Sequence, residues 1–204
     1  MKKGRLLYVI MTGSMFEHRV KSIKRTWCKN VDYILYSDHE DISENIVKAS
    51  NRSDYHSNEE KQINMLNRLT DEYDWFFFCD DDTFVNTKLI DKILNQLDEK
   101  HVYSKIINES NNPDNPVFKN PIVPKGLCYM QGGTGYFISQ QIIQKVRPFK
   151  NYNVGYSDVS VGIDLYYNNV EIKDMSIYDE KYNISYHFMK TFDQINEMYN
   201  LINS

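Results

Sequence analysis

The chain has few of the features that would assign it to a special class. Its three cysteines, Cys28, Cys79 and Cys128, are an odd number with no Cys-x-x-Cys spacing. That excludes a disulfide framework and a zinc site of the usual kind. Glycine and proline are scarce, at 8 and 5 of 204 residues, which excludes collagen-like and low-complexity chains. No apolar run approaches the length needed to cross a bilayer as a helix. The basic start MKKGR before the apolar Leu6–Met11 run resembles a secretory leader, but the run is too short and no small-residue cleavage site follows. Net charge is only -4, with the lysines and arginines scattered, so no basic face for nucleic acid is expected. Taken together, these absences predict a soluble, cytoplasmic protein, with a viral or microbial source expected; the heavy use of Asn, Lys, Ile and Tyr points to an AT-rich genome.

What is present is ordinary globular material. A chain of 204 residues with 41% hydrophobic and 25% charged positions suits one α/β domain. Apolar strand-like runs alternate with segments of helical periodicity, the pattern of a mostly parallel sheet flanked by helices. Strands are expected at Leu6–Met11, Val31–Tyr36, Trp75–Cys79, Tyr136–Ser139 and near Ile184–Phe188. Helices are expected through Val20, Ile23 and Trp27, over Glu59–Leu69 and Lys88–Leu97, around Ile142–Val146, over Val161–Tyr167, and through Ile195, Met198 and Ile202. Residues 37–58 read as polar loop. Residues 101–126, broken by Pro113, Pro116, Pro121 and Pro124, read as irregular strands and a long loop, a candidate lid.

The most informative stretch is WFFFCDDDTFVN. Trp75–Cys79 is apolar at every position, as in a strand buried on both faces, and it ends in Asp80, Asp81 and Asp82. Adjacent carboxylates repel one another unless a cation compensates. In extended chain Asp80 and Asp82 share a face and Asp81 takes the other. The first two can offer oxygens to Mn²⁺ or Mg²⁺ and leave Asp81 for a ribose hydroxyl. Open α/β sheets place ligands at the carboxyl ends of their strands, where this run falls. Read alone, so short a pattern is more often a solvated acidic turn.

Other segments extend the signal. HRVKSIKRTW, EEKQINMLNRLTDEYDWFFFCDDDTFVN, YMQGGTGYFIS, YSDVSVGIDLY and ISYHFMK, in this order, resemble the Fringe-like β-1,3-glycosyltransferases, a group that includes Fringe and the core 1 β-1,3-galactosyltransferases. The resemblance runs from about residue 5 to about residue 190. It implies a single GT-A (Rossmann-like) domain, a UDP-sugar donor, Mn²⁺, inversion at the anomeric carbon, and a glycan or glycoprotein acceptor. By resemblance, Asp80, Asp82 and His187 are metal ligands, Asp81 lies near the ribose, and Asp158 is the general base. Gly132, Gly133 and Gly135 lie where backbone passes close to the donor sugar. Thr12 and Arg19 lie near the nucleotide, with Lys61 a weaker match. Residues 1–86 would then form the nucleotide and metal half, and residues 87–204 the acceptor and base half.

Each residue has a plainer reading. A strand histidine is commonly a satisfied structural residue, Asp158 could cap the helix after it, the glycines could make a tight turn, and Arg19 could be solvated. The relatives often carry an acidic residue where this chain has Ser157, and they carry paired cysteines and a membrane anchor, neither of which is expected of this chain. Two alternatives stay open at this point: an inactive sugar- or nucleotide-binding domain on the same fold, and an aspartate-nucleophile phosphatase. The second fits poorly, with Phe84 where Thr or Val is wanted.

Overall fold

The computed structural model describes residues 4–180 and 183–203; Lys2 and Lys3 of the basic start lie outside the described residues. The run LLYVIM forms β1 (Leu6–Met11), followed by α1 (Glu17–Arg25), β2 (Tyr33–Ser37) and a short strand β3 (Ile46–Lys48). Helix α2 (Ser57–Arg68) leads into β4 (Trp75–Asp80), then β5 (Phe84–Val85) and α3 (Thr87–Ile93). The proline-interrupted region holds β6 (His101–Ser104) and β7 (Ile106–Asn108), and after a loop, β8 (Cys128–Met130). The second half continues with β9 (Tyr136–Ser139), α4 (Gln140–Val146), α5 (Ser157–Tyr167) and β10 (Glu171–Asp174). It ends in β11 (Ser185–Tyr186) and α6 (Phe192–Asn203).

The main sheet has seven strands in the order β10-β6-β9-β4-β1-β2-β3. β4 pairs in parallel with β1, β1 with β2, β2 with β3 and β10 with β6, whereas β9 runs antiparallel to both β4 and β6. The sheet is therefore mostly parallel and covered on both faces, as the unbroken apolar strands predicted. Alternation along β4 sorts its side chains. Trp75, Phe77 and Cys79 join a core under α1 and α3 with Val20, Ile23, Leu89 and Ile90. Phe76 and Phe78 join the opposite core with Ile63 and Leu66 of α2, Ile142 of α4 and Val161 of α5. A third cluster around Val117, Leu127, Tyr129 and Ile163 packs the 109–127 loop onto α5.

The differences from the sequence reading have local causes. Trp27 does not continue α1. The Thr26 hydroxyl donates to Ser22 O at 2.8 Å, and the backbone at Thr26 leaves helical geometry at φ -118, ψ -109, an alternative that threonine offers the chain. The expected helix to Leu97 tightens into a 3-10 turn at Leu94–Gln96. β3 and β10 are edge strands that sequence reasoning missed: only Ile46 is buried in β3 and no residue is in β10, so neither carries the apolar run of a central strand. The late strand stops at Tyr186, since Phe188 is in the left-handed region at φ 65.

Candidate active site

The carboxyl ends of β1 and β4 open into a cleft of about 510 Å³. Its floor is the aspartate run. Asp80 Oδ2 and Asp82 Oδ1 stand 3.8 and 3.1 Å from His187 Nε2, and one ligand atom from each of the three side chains lies within 4.8 Å of the others. β11 places the histidine there. It pairs antiparallel with β5, just past the aspartates, and the Met189 N–H donates to Asp82 O at 2.8 Å. The His187 ring is covered on one side by Phe188, at a centroid distance of 3.9 Å.

The charges in this cluster are unequal. Protein atoms surround the Asp80 carboxyl closely although water reaches it through the cleft, and burial pushes it up to about 7 against the pull of His187. Burial also disfavours the charge on Asp82, but the hydrogen bond and charge of His187, with Arg19 beyond, outweigh it and hold that carboxyl below the usual range. Asp81 turns toward Thr12 and Arg19, although it lies with Asp82 in the turn after β4 and not in the extended chain that alternation assumed. It is buried, accepts from the Thr12 hydroxyl at 2.6 Å and from Arg19 Nη1 at 3.1 Å, and burial raises it despite both bonds. Thr12, Arg19 and Asp81 thus spend polar groups on one another. Arg19 also reaches Asp82 at 3.5 Å, while its buried Nε has no hydrogen-bond partner among the described residues. Lys61, buried at the cleft wall, donates to Thr12 O at 3.1 Å, and burial lowers its affinity for a proton.

The glycine turn is held from below. Thr83 Oγ1 donates to Gly133 O at 2.8 Å and Ser104 Oγ to Gly135 O at 3.1 Å. Gly135 sits at φ 84 with Phe77 and the Phe78 carbonyl where a side chain would begin, at 2.5 and 2.7 Å, so only glycine fits. Across the cleft, Asp158 lies in the first turn of α5, which starts at Ser157 rather than near Val161. Its carboxylate accepts from Gly132 N at 3.2 Å and from its neighbour Val159 N at 2.9 Å. Tyr156, not Asp158, holds the N-cap position. Burial raises the Asp158 carboxyl above its ordinary value, with these two N–H groups pulling the other way.

Thr12, Arg19, Lys61, Asp80, Asp81, Asp82, Gly132, Gly133, Asp158 and His187 all line this one cleft, from both halves of the chain; Gly135 does not, and packs against Phe77 and Phe78 instead. Tyr55 and Lys190 line the cleft too and were missed. Lys190 follows His187 closely enough to have been noticed; Tyr55 lies in a polar stretch with no pattern.

A sheet of this order with an acidic run closing its central strand defines a GT-A fold. Residues 5–164 match the family model described as Fringe-like, and the chain belongs to that family. It is a glycosyltransferase, and the phosphatase reading falls away. His187 lies beyond the matched residues. A glycosyltransferase involved in the glycosylation of the major capsid of PBCV-1 is similar in fold, at 12% identity with 97% of this chain and 99% of that one covered and a TM-score of 0.55. Galactosyltransferase LgtC, solved with donor and acceptor sugar analogues, is 9% identical, with 97% and 96% covered and a TM-score of 0.56. A CMP:2-keto-3-deoxy-manno-octonic acid synthetase complexed with CTP is 10% identical, with 98% of each chain covered and a TM-score of 0.51. The fold thus serves other nucleotide chemistry as well, and the family match carries the assignment to sugar transfer. Among the described residues no helix is long and apolar enough to cross a membrane.

Proposed function

We propose that this glycosyltransferase moves a hexose or N-acetylhexosamine from a UDP-sugar to a hydroxyl of a glycan or glycoprotein, with inversion, forming a β-1,3 linkage. The observation that carries the reading is the meeting of Asp80, Asp82 and His187 on the floor of the cleft whose wall bears Asp158. Two carboxylates and an imidazole are a donor set suited to Mn²⁺, with Mg²⁺ a second fit. The Asp80 side chain is 40% exposed, so an ion can reach it from the cleft. Bound there, the ion supplies Lewis-acid neutralisation of the charge on the departing diphosphate.

The remaining chemistry belongs to the chain. The Asp158 carboxylate, oriented by the Gly132 and Val159 N–H groups, takes the proton of the acceptor hydroxyl. The acceptor oxygen then bonds to the anomeric carbon as the bond to the UDP oxygen breaks, and UDP leaves from the opposite face with the bonding pair. Two helpers on opposite sides of one sugar carbon are also the logic of inverting glycosidases. Residues 1–86 hold nucleotide and metal in this scheme. Residues 87–204 supply the glycine turn, the base and the third ligand.

The test is calorimetry of UDP with and without Mn²⁺. Wild type is expected to bind UDP only with the ion. Asp82→Ala is expected to weaken that binding by about 100-fold or more, since loss of even an outer partner of a metal ligand costs about 10–100-fold. Equal UDP affinity with and without Mn²⁺, or no binding by wild type, would overturn the donor assignment.

A further inference from the structure

The loop over residues 150–156 leads to Asp158, and side chains hold most of its backbone. Lys150 N donates to Asp164 Oδ2 at 2.7 Å, Tyr152 N to Ser160 Oγ at 3.3 Å and Asn153 N to Asn151 Oδ1 at 2.8 Å. Val154 N and Gly155 N donate to Glu59, at 3.4 Å to Oε1 and 2.9 Å to Oε2. The loop carries two residues in the left-handed region, Asn153 at φ 55 and Gly155 at φ 82. Asparagine and glycine are the residues that enter this region most readily, so the path carries little strain and rests on these hydrogen bonds.

Glu59 is the unusual member. It belongs to the first turn of α2 on another part of the chain, and it is only 4% exposed. Both its oxygens are used, and Ser160 Oγ of α5 adds a third, short hydrogen bond to Oε1. A buried carboxylate is tolerated where hydrogen bonds satisfy it, and the N-terminal end of a helix favours its charge. Charge complementing a helix end would be met equally well by an exposed glutamate. Burial against the 154–155 backbone calls for a further reason. Two residues on, Lys61 of the same helix donates to Thr12 O on the donor side of the cleft.

We infer that Glu59 is a positioning residue: it clamps the 153–156 loop and the start of α5 to α2, and so sets where Asp158 stands relative to the bound donor. The inference rests on the reading of Asp158 as the base. Glu59→Gln is the informative change. It keeps the size of the side chain but replaces one acceptor oxygen with an NH2 group facing N–H donors.

The experiment measures the transfer rate per UDP-binding site. Mn²⁺-dependent UDP binding by calorimetry gives affinity and site number, and initial rates with saturating acceptor give kcat. Glu59→Gln is expected to keep UDP affinity and site number within about twofold while kcat falls about 10- to 100-fold, since a misplacement of about 1 Å costs about 100-fold. A role in folding alone would lower the site number and the rate together and leave kcat per site unchanged; that outcome overturns the inference. Ser160→Ala, which removes one of the three donors, is the milder companion should Glu59→Gln fold poorly. It should lower kcat per site in the same direction, and unchanged kcat per site in it would also count against the clamp. Asp158→Asn run in parallel separates the two readings. If it abolishes transfer while Glu59→Gln is normal, the clamp is wrong and the base stands; if it transfers normally, both fall.

Discussion

Asp158→Asn is expected to lower the rate of sugar transfer by about 10²–10⁴-fold, the range a positioned general base contributes, while Mn²⁺-dependent UDP binding stays near wild type. Asparagine keeps one carbonyl oxygen, which can accept from Gly132 N, and turns its NH2 toward Val159 N, so the proton acceptor is lost together with one of the two orienting hydrogen bonds while the contact to the turn at 132 stays. The pH profile gives a second measure. Burial holds the Asp158 carboxyl above its ordinary value, and the base must be unprotonated to act. Transfer should therefore fall as the pH drops through that raised value, with an acid limb at higher pH than a solvent-exposed aspartate would give. Near-normal transfer by Asp158→Asn would remove it from the reaction.

The second large effect is expected from a single methyl group. A Cβ on Gly133 would lie 2.0 Å from His187 Cε1, 2.4 Å from Nδ1 and 2.5 Å from Nε2. Gly133→Ala cannot coexist with the imidazole where it stands. Something must shift, and if the ring gives way it leaves its place beside Asp80 and Asp82. Mn²⁺-dependent UDP binding should then weaken as much as in His187→Ala, by about 10–100-fold or more. Gly132→Ala is the contrast. Its Cβ would meet Asp158 Cβ at 3.3 Å and Oδ2 at 3.4 Å, a tight fit on the base side, so it should alter kcat more than UDP binding. If Gly133→Ala binds UDP and Mn²⁺ as wild type does, His187 is not a ligand from its present position.

The site was legible where its residues sit at the ends of strongly patterned elements. The aromatic run Trp75–Cys79 could only be a central strand, and Asp80–Asp82 had to emerge at its carboxyl end. The glycine turn was equally visible as the break before Tyr136. Asp158 could be read by resemblance but not placed, because a polar helix start has no periodicity; α5 begins at Ser157 with Asp158 already inside its first turn. Glu59 opens a segment that resembles the family, but nothing in the sequence marked a role for it. A glutamate opening a helix reads as a solvated dipole partner, and only the fold shows that loop backbone from beyond residue 150 closes over it. The Phe188 turn was hidden for a related reason: φ 65 in a bulky residue is set by tertiary contacts rather than local preference.

The pairing of β11 with β5 also bears on how the protein comes into being. The aspartates leave the ribosome roughly a hundred residues ahead of the short strand that carries the imidazole. Joining two such distant stretches costs loop-closure entropy before any contact repays it, so pairings of this kind form late. A nascent chain can complete its central sheet before His187 meets Asp80 and Asp82. A donor and ion bound there, as proposed, would favour the chain with β11 in place over every earlier one, adding stability in proportion to the logarithm of their concentration.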